Sequence, residues 1–239
     1  MSVERDDLEH MLNASKAVLA YRNFEDSARI IFDEACALTG AKAGYIALLS
    51  VDGSENEVLF LEAGGMPCGV DPELPMPIRG LRAQCYEERR AVFHNDFMNS
   101  EHVAFMPAEH VILENVLFAP LVIDDVCEGV MGIANKEGDY TDHDIQLATA
   151  LGEFAAIALN NSRMLSKLNE NIANLETALA EIHTLRGILP ICSHCKKIRD
   201  EKGYWHQVES YISKHSDTKF THGLCEACLE KYYPDEPSP

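Results

Sequence analysis

Four cysteines near the end of the chain carry its most definite chemistry: Cys192-Ser-His-Cys195 and Cys225-Glu-Ala-Cys228. Two thiolates separated by two residues share one short turn, and two such pairs make the four soft donors of a tetrahedral structural zinc site. The 29 residues between the pairs exceed the ~15–20 of a plain zinc ribbon. A helix inserted over Tyr204–His215, with Trp205, Val208, Tyr211 and Ile212 on one face, accounts for the excess. Paired thiols can also form a redox switch, and His194 or His222 could replace one cysteine in the ligand set. With all four positions filled by protein, no open site is left for hydrolysis. A unit of about 50 residues commonly needs such a staple to fold.

The remaining cysteines, Cys36, Cys68, Cys85 and Cys127, are scattered. In a reducing compartment the paired ones point to metal rather than to disulfides. No run of ~18 apolar residues is present, and the start MSVERDDLEH is charged, so the chain is expected in the cytoplasm and off the membrane. Its formal net charge of −19 opposes binding through nucleic-acid phosphates. From Ile188 onward seven Lys/Arg stand against eight Asp/Glu, so that part is near neutral and a poor nucleic-acid ligand as well.

Upstream, the spacing predicts helices over 6–20 and 24–38, the second with Ile30, Ile31, Phe32 and Ala35 inward and capped by Gly40. Strands follow at 43–50 and 57–63 across Asp52-Gly53. A Gly/Pro-rich loop over 64–77 leads to a short helix at 81–88 and a strand at 91–95. The stretch 96–115 shows no period. Strands at 116–123 and 127–135 form a hairpin across Asp124-Asp125, and a long helix begins near Asp142. This order describes an α+β fold, an antiparallel sheet with flanking helices and with loops long enough to cover a small-molecule cavity.

The stretch AVFHNDF…NVLFAPLVIDDVCEGVMGIANKEGDYTDHDIQL, Ala91 to Leu147, resembles the GAF family of sensory domains, and the resemblance extends over roughly 24–165. It implies a GAF-like sensory domain at 24–160, preceded by an N-terminal helix at 1–23. It also implies an unknown small-molecule ligand on the loop side, with Tyr45, Arg79, His94, Asp96, Phe105, His110 and Phe118 as the candidate ligand-binding residues. Asn135, Lys136, Tyr140 and Asp144 match in kind the pattern of cyclic-nucleotide-binding members, but Ile145 replaces a glutamate. The plainer reading of Lys136 and Asp144 is an ion pair pinning the loop to the helix start. Some family members reduce free methionine sulfoxide with grouped cysteines. The matching stretches here, Arg79-Gly80-Leu81 and His102-Val103-Ala104-Phe105, contain none. A haem held by His102, His110 or Cys68 would reveal itself by a Soret band.

Past the GAF-like region, Leu165, Leu168, Ile172, Leu175, Leu179, Ile182 and Leu189 alternate at three and four residues, with Arg186 in one core position. That is a coiled-coil seam, expected over 161–187, and it predicts a parallel homodimer. The four-cysteine module, expected at 188–235 with a tail at 236–239, is similar to an appendage of bacterial GAF, PAS and receiver proteins. No phosphoacceptor helix, Gly-rich ATP segment or P-loop is found. The combined expectation is a non-enzymatic signal-transduction protein with structural zinc, acting on other signalling proteins. The alternatives are a free methionine sulfoxide reductase and a zinc-dependent transcription regulator.

Overall fold

The computed structural model describes residues 5–71, 74–186 and 189–233, in two compact units, 1–168 and 169–239. The expectations for residues 1–4, 72–73, 187–188 and 234–239 lie outside the described residues.

In the first unit, helices α1 (Arg5–Ala20) and α2 (Phe24–Thr39) precede strands β1 (Ala43–Leu49) and β2 (Asn56–Glu62). Asn23 opens α2 by accepting the Glu25 N–H at 3.0 Å, and Gly40 closes it in the left-handed region at φ 74°. Helix α3 (Gly80–Glu88), strand β3 (Val92–His94) and two 3-10 turns (Phe97–Asn99 and Glu101–Phe105) follow. These turns occupy the stretch in which no period is legible, because a 3-10 turn leaves no repeating apolar face at this length. Strands β4 (Val116–Ile123) and β5 (Val126–Ala134) then lead to helix α4 (Asp142–Arg186).

The five strands form one antiparallel sheet in the order β2-β1-β5-β4-β3. Asp124 and Asp125 both adopt positive φ, 48° and 64°, the geometry that a two-residue hairpin turn demands. Pro120 is tolerated in β4 because β3 begins at Val92, opposite Phe118, and makes no ladder with Pro120. One apolar cluster joins α1, α2 and the first part of α4 to the sheet through Ala14, Ile31, Phe32, Ile46, Leu117 and Leu151. A second, smaller cluster joins α3 and β3 to it through Leu81, Cys85, Val92, Phe97, Val116 and Phe118. Helices therefore pack on both faces, and α3 with its neighbouring loops frames the side that holds the cavity.

In the second unit the continuation of α4 carries Leu175 and Leu179 exposed; the side chains of Ile182 and Arg186 lie outside the described residues. Strands β6 (Ile198–Arg199) and β7 (Trp205–His206) pair antiparallel, followed by α5 (Val208–His215) and α6 (Glu226–Tyr232). The helix expected over Tyr204–His215 thus begins four residues late. Asp200 accepts the Tyr204 N–H at 2.8 Å, and Gly203 turns the chain at φ 88°, which commits Trp205 and His206 to a hairpin before the helix can start. No described helix is long and apolar enough to cross a membrane.

Candidate functional site

A cavity of about 990 Å³ opens in the first unit between the sheet, α3 and the two long loops. That is at the upper end of the ~300–1,000 Å³ usual for small-molecule sites. Its floor is the β1–β5–β4 centre. There Gly132 leaves room for Tyr45 and Phe118, whose ring centroids are 6.3 Å apart. A Cβ at Gly132 would lie 2.8 Å from Phe118 and 3.0 Å from Tyr45. The two loops meet where the Gly69 N–H donates to the Glu109 carbonyl at 3.1 Å.

Three asparagines hold this frame by using both ends of their amides. Asn135, itself at φ 59°, accepts the Glu114 N–H at 2.9 Å and donates to the Ile112 carbonyl at 2.9 Å. Asn115 accepts the Lys136 N–H and donates to the carbonyls of Lys136 and Gly138 at 2.8–2.9 Å. Asn95 brackets Tyr140 by accepting its N–H at 2.7 Å and donating to its carbonyl at 3.0 Å. The loops are thereby tied to β5 and to the entry of α4. Lys136 reaches both carboxylate oxygens of Asp144 at 2.6 Å, and Thr141 donates to the same carboxylate. Burial pushes the Asp144 pKa up, but Lys136 and Thr141 outweigh it and hold the carboxyl below its usual range. Lys136 and Asp144 form the ion pair that pins the loop to the helix.

Of the seven candidate ligand residues, Tyr45, Arg79, Phe105, His110 and Phe118 line the cavity; His94 and Asp96 do not. His94 Nδ1 instead accepts the Asp96 N–H at 3.2 Å, and Asp96 accepts from Asn99 at 2.8 Å, so both shape the turn after β3. The wall also contains Cys68, His102 and, unforeseen, Arg82. Arg82 donates to the Tyr45 hydroxyl at 3.3 Å and to the Pro77 carbonyl at 3.1 Å. Its placement one turn after Arg79, at the start of α3, is the signal that could have found it. His110 Nδ1 lies 2.8 Å from the Val111 carbonyl, so that nitrogen carries the proton. His102 Nδ1 is shut off from solvent and has no hydrogen-bond partner.

The cysteines divide by environment. Burial pushes the Cys36 thiol up to about 12 and Cys127 to about 11, and raises Cys85 further. The Cys192 pKa is lowered by the N–H groups of Cys195 and His194, and Cys225 by the N–H and thiol of Cys228. Cys228 is raised in turn by its partner Cys225. Each C-x-x-C therefore presents one favoured thiolate on an amide-rich turn, which suits a thiophilic cation. Among the described residues, however, the two pairs do not converge into a single cluster of metal-ligating side chains.

A family model described as "GAF domain" matches residues 22–160, more than half of the chain. The methyl sulfide methyltransferase-associated sensor of Methanosarcina acetivorans is 27% identical over 126 residues, which is 50% of this chain and 12% of that protein. The chain thus corresponds to a small part of this relative. Among solved structures, the GAF domain from a Coxiella burnetii phosphoenolpyruvate-protein phosphotransferase superposes with a TM-score of 0.60 at 15% identity. That superposition covers 70% of this chain and 99% of the other. A free methionine-R-sulfoxide reductase from Neisseria meningitidis superposes with a TM-score of 0.56 at 14% identity, covering 69% and 96%. At these identities the likeness establishes the fold alone.

Proposed function

The chain belongs to the GAF domain family, and we propose that it is a non-enzymatic cytoplasmic sensor. A small molecule enters the GAF cavity, and the response passes through a dimeric α4 to a zinc-stapled module that engages other signalling proteins. The observation that carries this reading is the cavity itself, large, mainly apolar and framed by amide-stapled loops. A pocket so framed can report occupancy as movement of the loop ends that lead into α4, since Asn95, Lys136 and Asp144 tie those ends together. The relative from Methanosarcina acetivorans, a sensor by name, agrees with it.

A sulfoxide reductase needs a thiolate and a second thiol within disulfide reach. Cys68 is the one thiol in the described wall, which favours binding over turnover. The seam on α4 supports the dimer: Leu165, Leu168, Ile172, Leu175 and Leu179 are 38–63% exposed on a helix with no described partner for them. Zinc on Cys192, Cys195, Cys225 and Cys228 would close the second unit, with no coordination position left for substrate.

A calorimetric and thermal-shift screen of the full chain against metabolites, cyclic nucleotides and haem tests the sensor reading. Saturable binding without turnover is expected, with stabilisation of about 2.7 kcal/mol at a hundredfold excess over Kd. Steady reduction of free methionine sulfoxide would replace it with the enzyme, and a Soret band would name haem as the ligand. For the seam, Leu168→Glu with Ile172→Glu is expected to convert a dimer to a monomer in light scattering; a monomeric parent chain would discard the rod.

A further inference from the structure

The arginines of the described cavity wall stand apart from its acids. Arg79 and Arg82 both line it, and among the described residues neither forms an ion pair with a carboxylate. Arg82 is half-buried and held at two points by the Tyr45 hydroxyl and the Pro77 carbonyl, both uncharged. A guanidinium withdrawn from water without a counter-charge is costly, and an entering anion removes that cost. Of the two acids in the described wall, Glu62 is taken by Arg29 at 2.5 Å, and Asp71 is already partnered.

Two further polar features lie in the same wall. Helix α3 starts at Gly80, in the wall, with no side chain capping its first N–H groups. Gly80 sits so close to the loop that a Cβ there would be 3.0 Å from Phe105 and 3.3 Å from His102 Nδ1. That Nδ1 is the buried, unpartnered nitrogen. The wall also carries a broad apolar surface, with Phe60, Leu74, Met76, Met106 and Leu113.

We infer that the ligand is an organic carboxylate, its apolar ring or chain filling the chamber and its carboxylate set against Arg82, Arg79 and the start of α3. The assignment rests on the sensor reading and narrows its ligand to a chemical class. Tyr45 and Pro77 take two of the five N–H donors of Arg82, and a carboxylate can accept from those that remain. A phosphate monoester would bring a second negative charge into a wall that also holds Glu62 and Asp71.

Matched probes separate charge from shape: octanoate against octanol, 4-phenylbutyrate against 4-phenylbutanol, and octyl phosphate, titrated into the full chain by calorimetry. The acids are expected to bind at least about tenfold more tightly than their alcohols, the worth of one charge-assisted hydrogen bond. Arg82→Gln should abolish that preference and leave the alcohols unchanged. Arg79→Gln, at an exposed side chain with no described internal partner, should weaken it and serves if the Arg82 variant misfolds. Alcohols binding as tightly as acids would overturn the carboxylate while leaving the sensor intact. So would octyl phosphate outcompeting octanoate, or an acid preference that persists in the Arg79→Gln/Arg82→Gln double variant. Silence from all five probes also overturns it, and the metabolite screen then decides separately whether the cavity binds anything.

Discussion

Up to Leu168 the chain buries two apolar clusters against one sheet, whereas among the described residues from Asn169 onward only Ile198 is buried. Trp205 is 47% exposed and Tyr232 63% in that second unit, so its aromatic residues contribute little to a core. The cysteines repeat the contrast. Cys36, Cys85 and Cys127 are wrapped in apolar side chains that hold their thiols protonated and inert. Cys192 and Cys225 sit on turns whose amides stabilise thiolates. One half of the molecule is held by area removed from water, and the other has donors in place of area. Burial of apolar area, which holds the first unit, is thus nearly lacking among the described residues of the second.

The largest expected effect tests this division directly. Trp205 is the chain's one tryptophan, so its fluorescence reports the second unit alone. Adding zinc should shift its emission and draw the two C-x-x-C pairs together, and a chelator should reverse the change. The apparent binding energy is expected near ~10–16 kcal/mol, as for structural zinc in small modules. Cys225→Ser should abolish the response while the melting of the first unit stays where it was. Equal zinc retention in that variant would remove Cys225 from the ligand set.

A core truncation should behave in the opposite manner. Leu151→Ala, at a fully buried position, is expected to cost the first unit about 2–5 kcal/mol in urea unfolding. The Trp205 signal of the zinc-loaded chain should not move with it. A joint loss would mean that the units fold as one.

Smaller still is the effect of the loop pin. Lys136→Met leaves the Asp144 carboxylate, 5% exposed, without its cation, at a cost on the order of 3 kcal/mol or less. Because the folded pKa of Asp144 is depressed, the bridge stabilises fully above the unfolded carboxyl value near 3.8. Its contribution fades as pH falls through the lower folded value. The difference between parent and Lys136→Met should therefore shrink in acid; a difference constant down to pH ~2 would deny the pin a role in stability.

Much of the fold was legible in the chain because it depends on local rules. Apolar period located α1, α2 and α4, Gly40 ended α2, and Asp124-Asp125 announced the β4–β5 hairpin. Five of the candidate ligand residues reach the cavity: Tyr45 and Phe118 from within β1 and β4, Arg79 just before α3, Phe105 from a 3-10 turn and His110 from a loop. His94 and Asp96 are drawn instead into a local turn, and Arg82 joins the wall. A side chain's direction at a helix start depends on what packs over it, in this case Tyr45 and Pro77 from distant segments.

The sequence by itself determined the order and type of the elements in the first unit and the spacing of the four thiols. Both follow from contacts within a few residues and from a period the chain carries along its length. Only the tertiary structure decided that two arginines share one wall without forming an ion pair among the described residues, and that Asn95, Asn115 and Asn135 clamp loops 20 or more residues away. Those are pairings across the sheet, where desolvation and hydrogen-bond geometry select partners that no local pattern encodes.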